Sequence, residues 1–131
     1  MKSFLRNLVI RILTWEAREV LAKHHPRIVG VTGNVGKTSA KDTIAAVLST
    51  GFSVRRNHKS YNSEIGLPLA ILELESGWGS PFAWVSNIVR GYLQVVFRSE
   101  YAEWLVAELG VDHPGDIEKA ISWLTLDVAV M

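Results

Sequence analysis

The chain has 131 residues, 48% of them hydrophobic and 21% charged, a length and composition that suit one compact domain with its own core. With no cysteine, it excludes a disulfide scaffold, a thiolate metal site and a cysteine nucleophile, and its apolar content excludes a disordered chain. The formal net charge of +1 hides a split: residues 1–60 carry eleven Lys/Arg against three acids, and residues 61–131 carry three against ten.

Residues 3–23 read as an amphipathic helix. Phe4, Leu5, Leu8, Ile12 and Trp15 recur at three- and four-residue spacing, with Arg6, Arg11 and Arg18 off that stripe. Pro26 biases His25 away from helix, so the helix should stop near His24. Its longest uncharged runs, 8–10 and 12–15, fall far short of the roughly twenty residues a membrane span needs. Residues 27–32 predict a short buried strand, Gly33 to Gly36 a turn, and Lys37 to about Ser49 a helix followed by Gly51. A second strand is predicted at 52–55, a polar loop at 56–62, and a helix capped by Ser63 and running to about Leu72. Residues 81–98 predict a helix opened by Pro81, with Asn87, Arg90, Gln94 and Arg98 as a narrow polar stripe on an otherwise apolar surface. A third strand over 104–109, a helix over 115–123 and a fourth strand over 126–131 complete the pattern. Strands alternating with helices predict an α/β fold: a mostly parallel sheet with flanking helices on both faces, preceded by an amphipathic helix.

The segment Thr32–Gly33–Asn34–Val35–Gly36–Lys37–Thr38–Ser39 carries the strongest chemical signal. A strand, a glycine turn and a helix opening at Lys–Thr form a phosphate loop, in which glycines let backbone N–H groups aim inward and the helix dipole adds positive potential. Lys37 would reach the terminal phosphates and the Thr38 hydroxyl would ligate Mg²⁺. The usual G-x-x-x-x-G-K-[ST] spacing wants glycine at position 31, where this chain has valine. Glu108 ends a strand predicted to run parallel to the first, so its carboxylate should emerge at the same sheet edge, where a hard cation could be shared with phosphate. The basic half thus contributes the loop and the acidic half the metal ligand.

These residues resemble the Mur ligases, whose nucleotide loop reads T-G-x-x-G-K-T-[ST] and lacks the general first glycine. Asn62–Ser63–Glu64–Ile65–Gly66–Leu67–Pro68 resembles the N-N-x-I-G-x-P segment of the D-alanyl-D-alanine-adding branch, with serine for the second asparagine. Glu108–Leu109–Gly110–Val111–Asp112–His113–Pro114–Gly115–Asp116–Ile117 resembles its E-[LM]-G-x-N-H-x-G-[DE]-I segment, with aspartate for asparagine at 112. The likeness covers about 27–75 and 104–131. It implies an ATP-binding domain over 27–131, partial in extent, behind an N-terminal helix over 1–26. It also implies a cytoplasmic ATP-dependent amide ligase of peptidoglycan precursor synthesis that works through an acyl phosphate. ATP and Mg²⁺ would be the cofactors, and a UDP-linked muramoyl peptide with an amino acid or dipeptide amine the substrates. Gly33, Asn34, Val35, Gly36, Lys37, Thr38 and Ser39 would hold the nucleotide, Thr38 and Glu108 the metal, and Lys37, Asn62 and His113 would serve catalysis. The ligases carry further domains and later metal and adenine contacts, so the 131 residues predict an incomplete ligase with weak nucleotide binding on its own.

Other features carry two readings. A non-catalytic nucleotide-binding module, membrane-peripheral through its two amphipathic segments, is the alternative to the ligase, and another phosphate-loop phosphotransferase is a third. Both segments suit interfacial helices, but soluble helices commonly share this pattern, and packing on each other, the sheet or another domain is the expectation. Nothing in the near-neutral balance points to nucleic acid. His24 and His25 should supply charge at a helix end in preference to a metal pair. Arg55, Arg56 and Lys59 suit either phosphate attraction or simple solvation, Lys41 is expected on the surface, and the five scattered tryptophans predict packing.

Overall fold

The computed structural model describes residues 3–33, 36–57, 64–77, 79–110 and 114–130. In chain order these form α1 (Ser3–His24), β1 (Arg27–Val31), α2 (Lys37–Leu48), β2 (Val54–Arg56), α3 (Gly66–Ile71), α4 (Pro81–Phe97), β3 (Trp104–Glu108), α5 (Asp116–Ile121) and β4 (Val128–Val130). The strands make one sheet in the order β2-β3-β1-β4, and every neighbouring pair is parallel.

The two central strands bury both faces, which explains their unbroken apolar sequences. Alternation sends Ile28, Leu105 and Ala107 to one side and Val29, Val31 and Val106 to the other. The first set packs with Leu13, Ala17 and Val20 of α1 and with α3; the second packs under α2 around Ala45. The sheet is therefore covered on both faces, as the alternation of elements requires.

Helix α1 ends where expected. His25 takes φ 50°, its N–H donates to the Leu21 carbonyl (2.8 Å), and Pro26 follows. His24, however, stacks on Tyr101 with ring centroids 5.9 Å apart. Burial lowers its pKa, with the nearby Lys23 and Arg98 charges adding to the effect, so it is a poor source of charge for the helix end.

Helix α4 is oriented against the simple amphipathic rule. Ser80 caps it, accepting from the Ala83 N–H (3.3 Å), and Pro81 occupies the first turn. Three residues of its polar stripe point inward while Arg90 stays exposed: Asn87 Nδ2 donates to the Glu75 carbonyl (2.7 Å) and Gln94 Nε2 to the Leu72 carbonyl (2.5 Å). Arg98 Nη2 donates to Glu73 Oε1 (3.1 Å). The irregular chain after α3 has carbonyls that no helix or strand satisfies, and Asn87 and Gln94 supply the missing donors. Trp84 and Gly91 complete the inner stripe, and α4 packs on α1 as expected. The outer, apolar side of α4 stays exposed, which the expectation of mutual packing did not cover. Among the described residues, no helix is long and apolar enough to cross a membrane.

Gly91 marks the close approach of α1 and α4, since a Cβ there would collide with the Glu16 carboxyl group. Glu16 is only 1% exposed, and burial pushes its pKa from 4.5 up to about 7. The folded state thus holds this proton more tightly than the unfolded chain. The resulting stability is complete below pH 4.5 and is lost as pH rises through about 7. Denaturant unfolding across this range should show Glu16→Gln becoming more stable relative to the native chain as pH rises, by on the order of 2–3 kcal/mol. A difference that stays constant between pH 4 and 8 would contradict the burial of an ionising carboxyl.

Candidate phosphate and metal site

The site grows from the carboxyl ends of β1 and β3. Strand β1 stops at Val31, and Thr32 is anchored by its N–H to the Val130 carbonyl (2.9 Å). Gly33 (φ 137°) and Gly36 (φ 78°) adopt backbone conformations that side chains disfavour, and Gly36 is the N-cap of α2. The first intrahelical bond runs from the Ala40 N–H to the Gly36 carbonyl (2.9 Å). The amides at 37–39 therefore have no intrahelical acceptor, and they lie at the positive end of the helix dipole. Such a terminus suits a phosphate anion. Lys37 is half-buried at the first position of α2.

Parallel register places Val31 opposite Glu108, so β3 delivers its terminal carboxylate beside the turn. Glu108 is 1% exposed, and its burial is compensated by three residues, two on α2 and one just past β2. Thr38 Oγ1 donates to Glu108 Oε1 (2.8 Å). Asn57, just past β2, fixes the Glu108 backbone from both sides: its Nδ2 donates to the Glu108 carbonyl (2.9 Å), and its Oδ1 accepts from the Glu108 N–H (2.8 Å). Lys41 Nζ donates to the Asn57 carbonyl (2.5 Å) and lies 3.9 Å from Glu108 Oε1.

Lys41 is thus buried, not on the surface as expected. It stands three residues after Thr38 on α2, and that spacing puts both side chains on the face turned to the sheet edge. This periodicity was the available signal for Lys41. No motif marks Asn57, whose partner lies 51 residues away.

Thr38 and Glu108 offer two hard oxygen donors 2.8 Å apart. Adjacent oxygens around an octahedral ion with bonds of about 2.1 Å lie about 3 Å apart, so the pair fits two neighbouring positions on Mg²⁺. Among the described residues, no group of three or more His, Asp or Glu could hold a metal alone. This donor set suits an ion that takes its other ligands from phosphate and water.

The remaining predicted residues separate into two groups. Asn34, Val35, Asn62 and His113 lie outside the described residues, as do His58, Lys59, Ser63 and Asp112. Ser39 is exposed at the start of α2. Arg55 donates through Nε and Nη2 to the Ala70 carbonyl (3.1 and 3.0 Å), and Arg56 pairs with Asp42 (3.3 Å). Both arginines therefore have protein partners and tie β2 to α3 and α2.

Removing one member of a buried ion pair leaves the other charge uncompensated. Lys41→Met should lower the unfolding free energy by about 3 kcal/mol, and Glu108→Gln should cost less in that background than in the native chain. A double-mutant cycle by denaturant unfolding checks this; strictly additive costs would mean that the two groups are not coupled.

Comparison with known proteins agrees with this geometry. No family model matches the chain. The UDP-N-acetylmuramoyl-tripeptide–D-alanyl-D-alanine ligase of Synechocystis is 41% identical over 91 residues, covering 67% of this chain and 20% of that protein. The enzyme of the same name from Bacillus subtilis is 43% identical over 102 residues, covering 77% of this chain and 22% of its own length. The chain thus spans about a fifth of the length of the curated relatives it matches. Among solved structures, the MurF ligase from Thermotoga maritima in complex with ADP superposes on 90% of this chain and 22% of its own, with a TM-score of 0.62 and 27% identity. Three motifs in order, the parallel sheet that brings the loop and Glu108 to one edge, and these likenesses lead to one conclusion: the chain belongs to the Mur ligase family, in the branch of the D-alanyl-D-alanine-adding enzymes.

Proposed function

We propose that residues 27–131 form part of the ATP-binding domain of a ligase that joins D-alanyl-D-alanine to a UDP-linked muramoyl peptide, preceded by an N-terminal segment, residues 1–26, whose helix α1 packs beside it. The observation that carries this reading is the Thr38–Glu108 pair, 2.8 Å apart, next to the Gly33–Gly36 turn and the amino end of α2. The likeness to a ligase structure in complex with ADP supports nucleotide binding.

In this reading, backbone amides of the loop from Gly33 to Ser39, Asn34 and Val35 included, hold the phosphates. Lys37 stabilises the negative charge that shifts onto the β/γ-bridge as the terminal phosphoryl group moves to the substrate carboxylate. The acyl phosphate so formed is then attacked by the incoming amine, and phosphate leaves. Mg²⁺, held by Thr38 and Glu108, would supply charge neutralisation on the phosphate oxygens. The chain's own residues act by positioning and electrostatics, which is what phosphoryl transfer demands. Asn62 and His113 take roles in the nucleotide–substrate cleft by motif likeness. The reaction itself would be cytoplasmic, where ATP is available.

Calorimetric titration of the chain with ATP in the presence of Mg²⁺ tests this. Lys37→Ala should weaken binding about tenfold or more, the scale of a lost charge-assisted hydrogen bond. Glu108→Gln should abolish the gain in affinity that Mg²⁺ provides. Unchanged ATP affinity in the Lys37 variant would overturn the assignment.

A further inference from the structure

Helix α4 bears an apolar stripe that the fold does not use. Phe82, Val85, Val89, Leu93, Val96 and Phe97 follow one another at three- and four-residue spacing, and all are exposed, Phe82 at 88% and Phe97 at 73%. This is the side opposite Asn87, Gly91, Gln94 and Arg98, and the hydrogen bonds of those polar residues to the 72–75 segment fix the helix with its apolar side outward. Rotating the stripe inward would break those bonds, so its exposure is built into the fold.

The stripe continues onto α1. Glu16 meets Gly91, and farther along both helices His24 and Arg98 meet the same Tyr101 ring, so α1 and α4 run in the same direction. Counting back equally from Glu16 and Gly91 sets Leu8 level with Ala83. The first two turns of α1, exposed on every side, therefore lie beside the start of α4 and add Phe4, Leu5 and Leu8 to the surface.

The charge on this surface has one sign. Arg90 is the only charged residue within α4, and Arg6 and Arg11 are the only charged residues in α1 before Glu16; all three are exposed. A second copy seated face to face would set these arginines against their symmetry mates. An apolar stripe about 22 Å long, flanked by arginines and carrying a phenylalanine at each end, has the chemistry of a helix lying in a lipid headgroup layer. We propose that the outer face of α4, together with the first turns of α1, docks on an anionic lipid bilayer surface without crossing it.

Co-sedimentation of the chain with vesicles of phosphatidylcholine and phosphatidylglycerol in equal parts, and of phosphatidylcholine alone, tests the proposal. The chain should pellet with the anionic vesicles. The double substitution Phe82→Glu/Val89→Glu, at side chains that make no core, should cut the partition coefficient about tenfold or more while leaving the circular dichroism spectrum unchanged. Arg6→Glu/Arg90→Glu should reduce the preference for anionic over neutral vesicles, by roughly fivefold per arginine at low salt. Three results would overturn it: a chain that stays in the supernatant with both vesicles, partition unaffected by the Phe82/Val89 substitutions, or a dimer in light scattering that those substitutions dissociate.

Discussion

A carboxylate withdrawn from water at the end of a parallel strand must be compensated, and at Glu108 this constraint organises one edge of the fold. Thr38 and Lys41 reach it from α2, while Asn57 fixes its backbone from the end of β2. The three elements come together in sequence steps of very different length, so the network joins α2 to two strands of the sheet. An uncompensated carboxylate here would cost several kcal/mol, enough to matter against the marginal stability of a domain this size. The same arrangement leaves a hydroxyl and a carboxylate oxygen side by side next to a helix amino terminus. In the proposed function, compensation for burial and preparation for a phosphate-bound cation are one structure.

The opposite side of the domain shows a second use of polar groups. In α4 the amides of Asn87 and Gln94 face the protein because the segment after α3 needs donors for its carbonyls. The hydrophobic effect would by itself turn the helix the other way. Specific hydrogen bonds to the chain outweigh it locally, and an apolar surface is left facing solvent. The buried Glu16 belongs to this region too, its carboxyl group seated where a side chain at position 91 would otherwise stand.

How much of this was legible in the sequence follows from the range of the interactions. The central strands were readable because burial on both faces makes Ile28–Val31 and Leu105–Ala107 continuous apolar runs, and the phosphate turn because Gly33 and Gly36 sit between a strand and a helix. The second strand begins two residues later than predicted. Ser53, expected within it, instead exchanges hydrogen bonds with Glu103 ahead of the ladder. Thr38 and Glu108 were identifiable from motif and strand polarity, and Lys41 had only its three-residue spacing from Thr38 as a signal; Asn57 had none, because its partner is set by tertiary packing. The orientation of α4 was hidden for the same reason: the acceptors of Asn87 and Gln94 lie 12 and 22 residues upstream.

In the proposed function, Thr38 and Glu108 share a divalent cation with a nucleotide held by the Gly33–Gly36 turn. A crystal structure of the chain grown with ADP and Mn²⁺, with the metal located by its anomalous scattering, tests it most directly. One metal peak is expected in contact with Thr38 Oγ1, a Glu108 carboxylate oxygen and a phosphate oxygen, with the phosphates against the first turn of α2. A metal that touches the phosphates but neither Thr38 nor Glu108, or a nucleotide bound away from this edge, would contradict it.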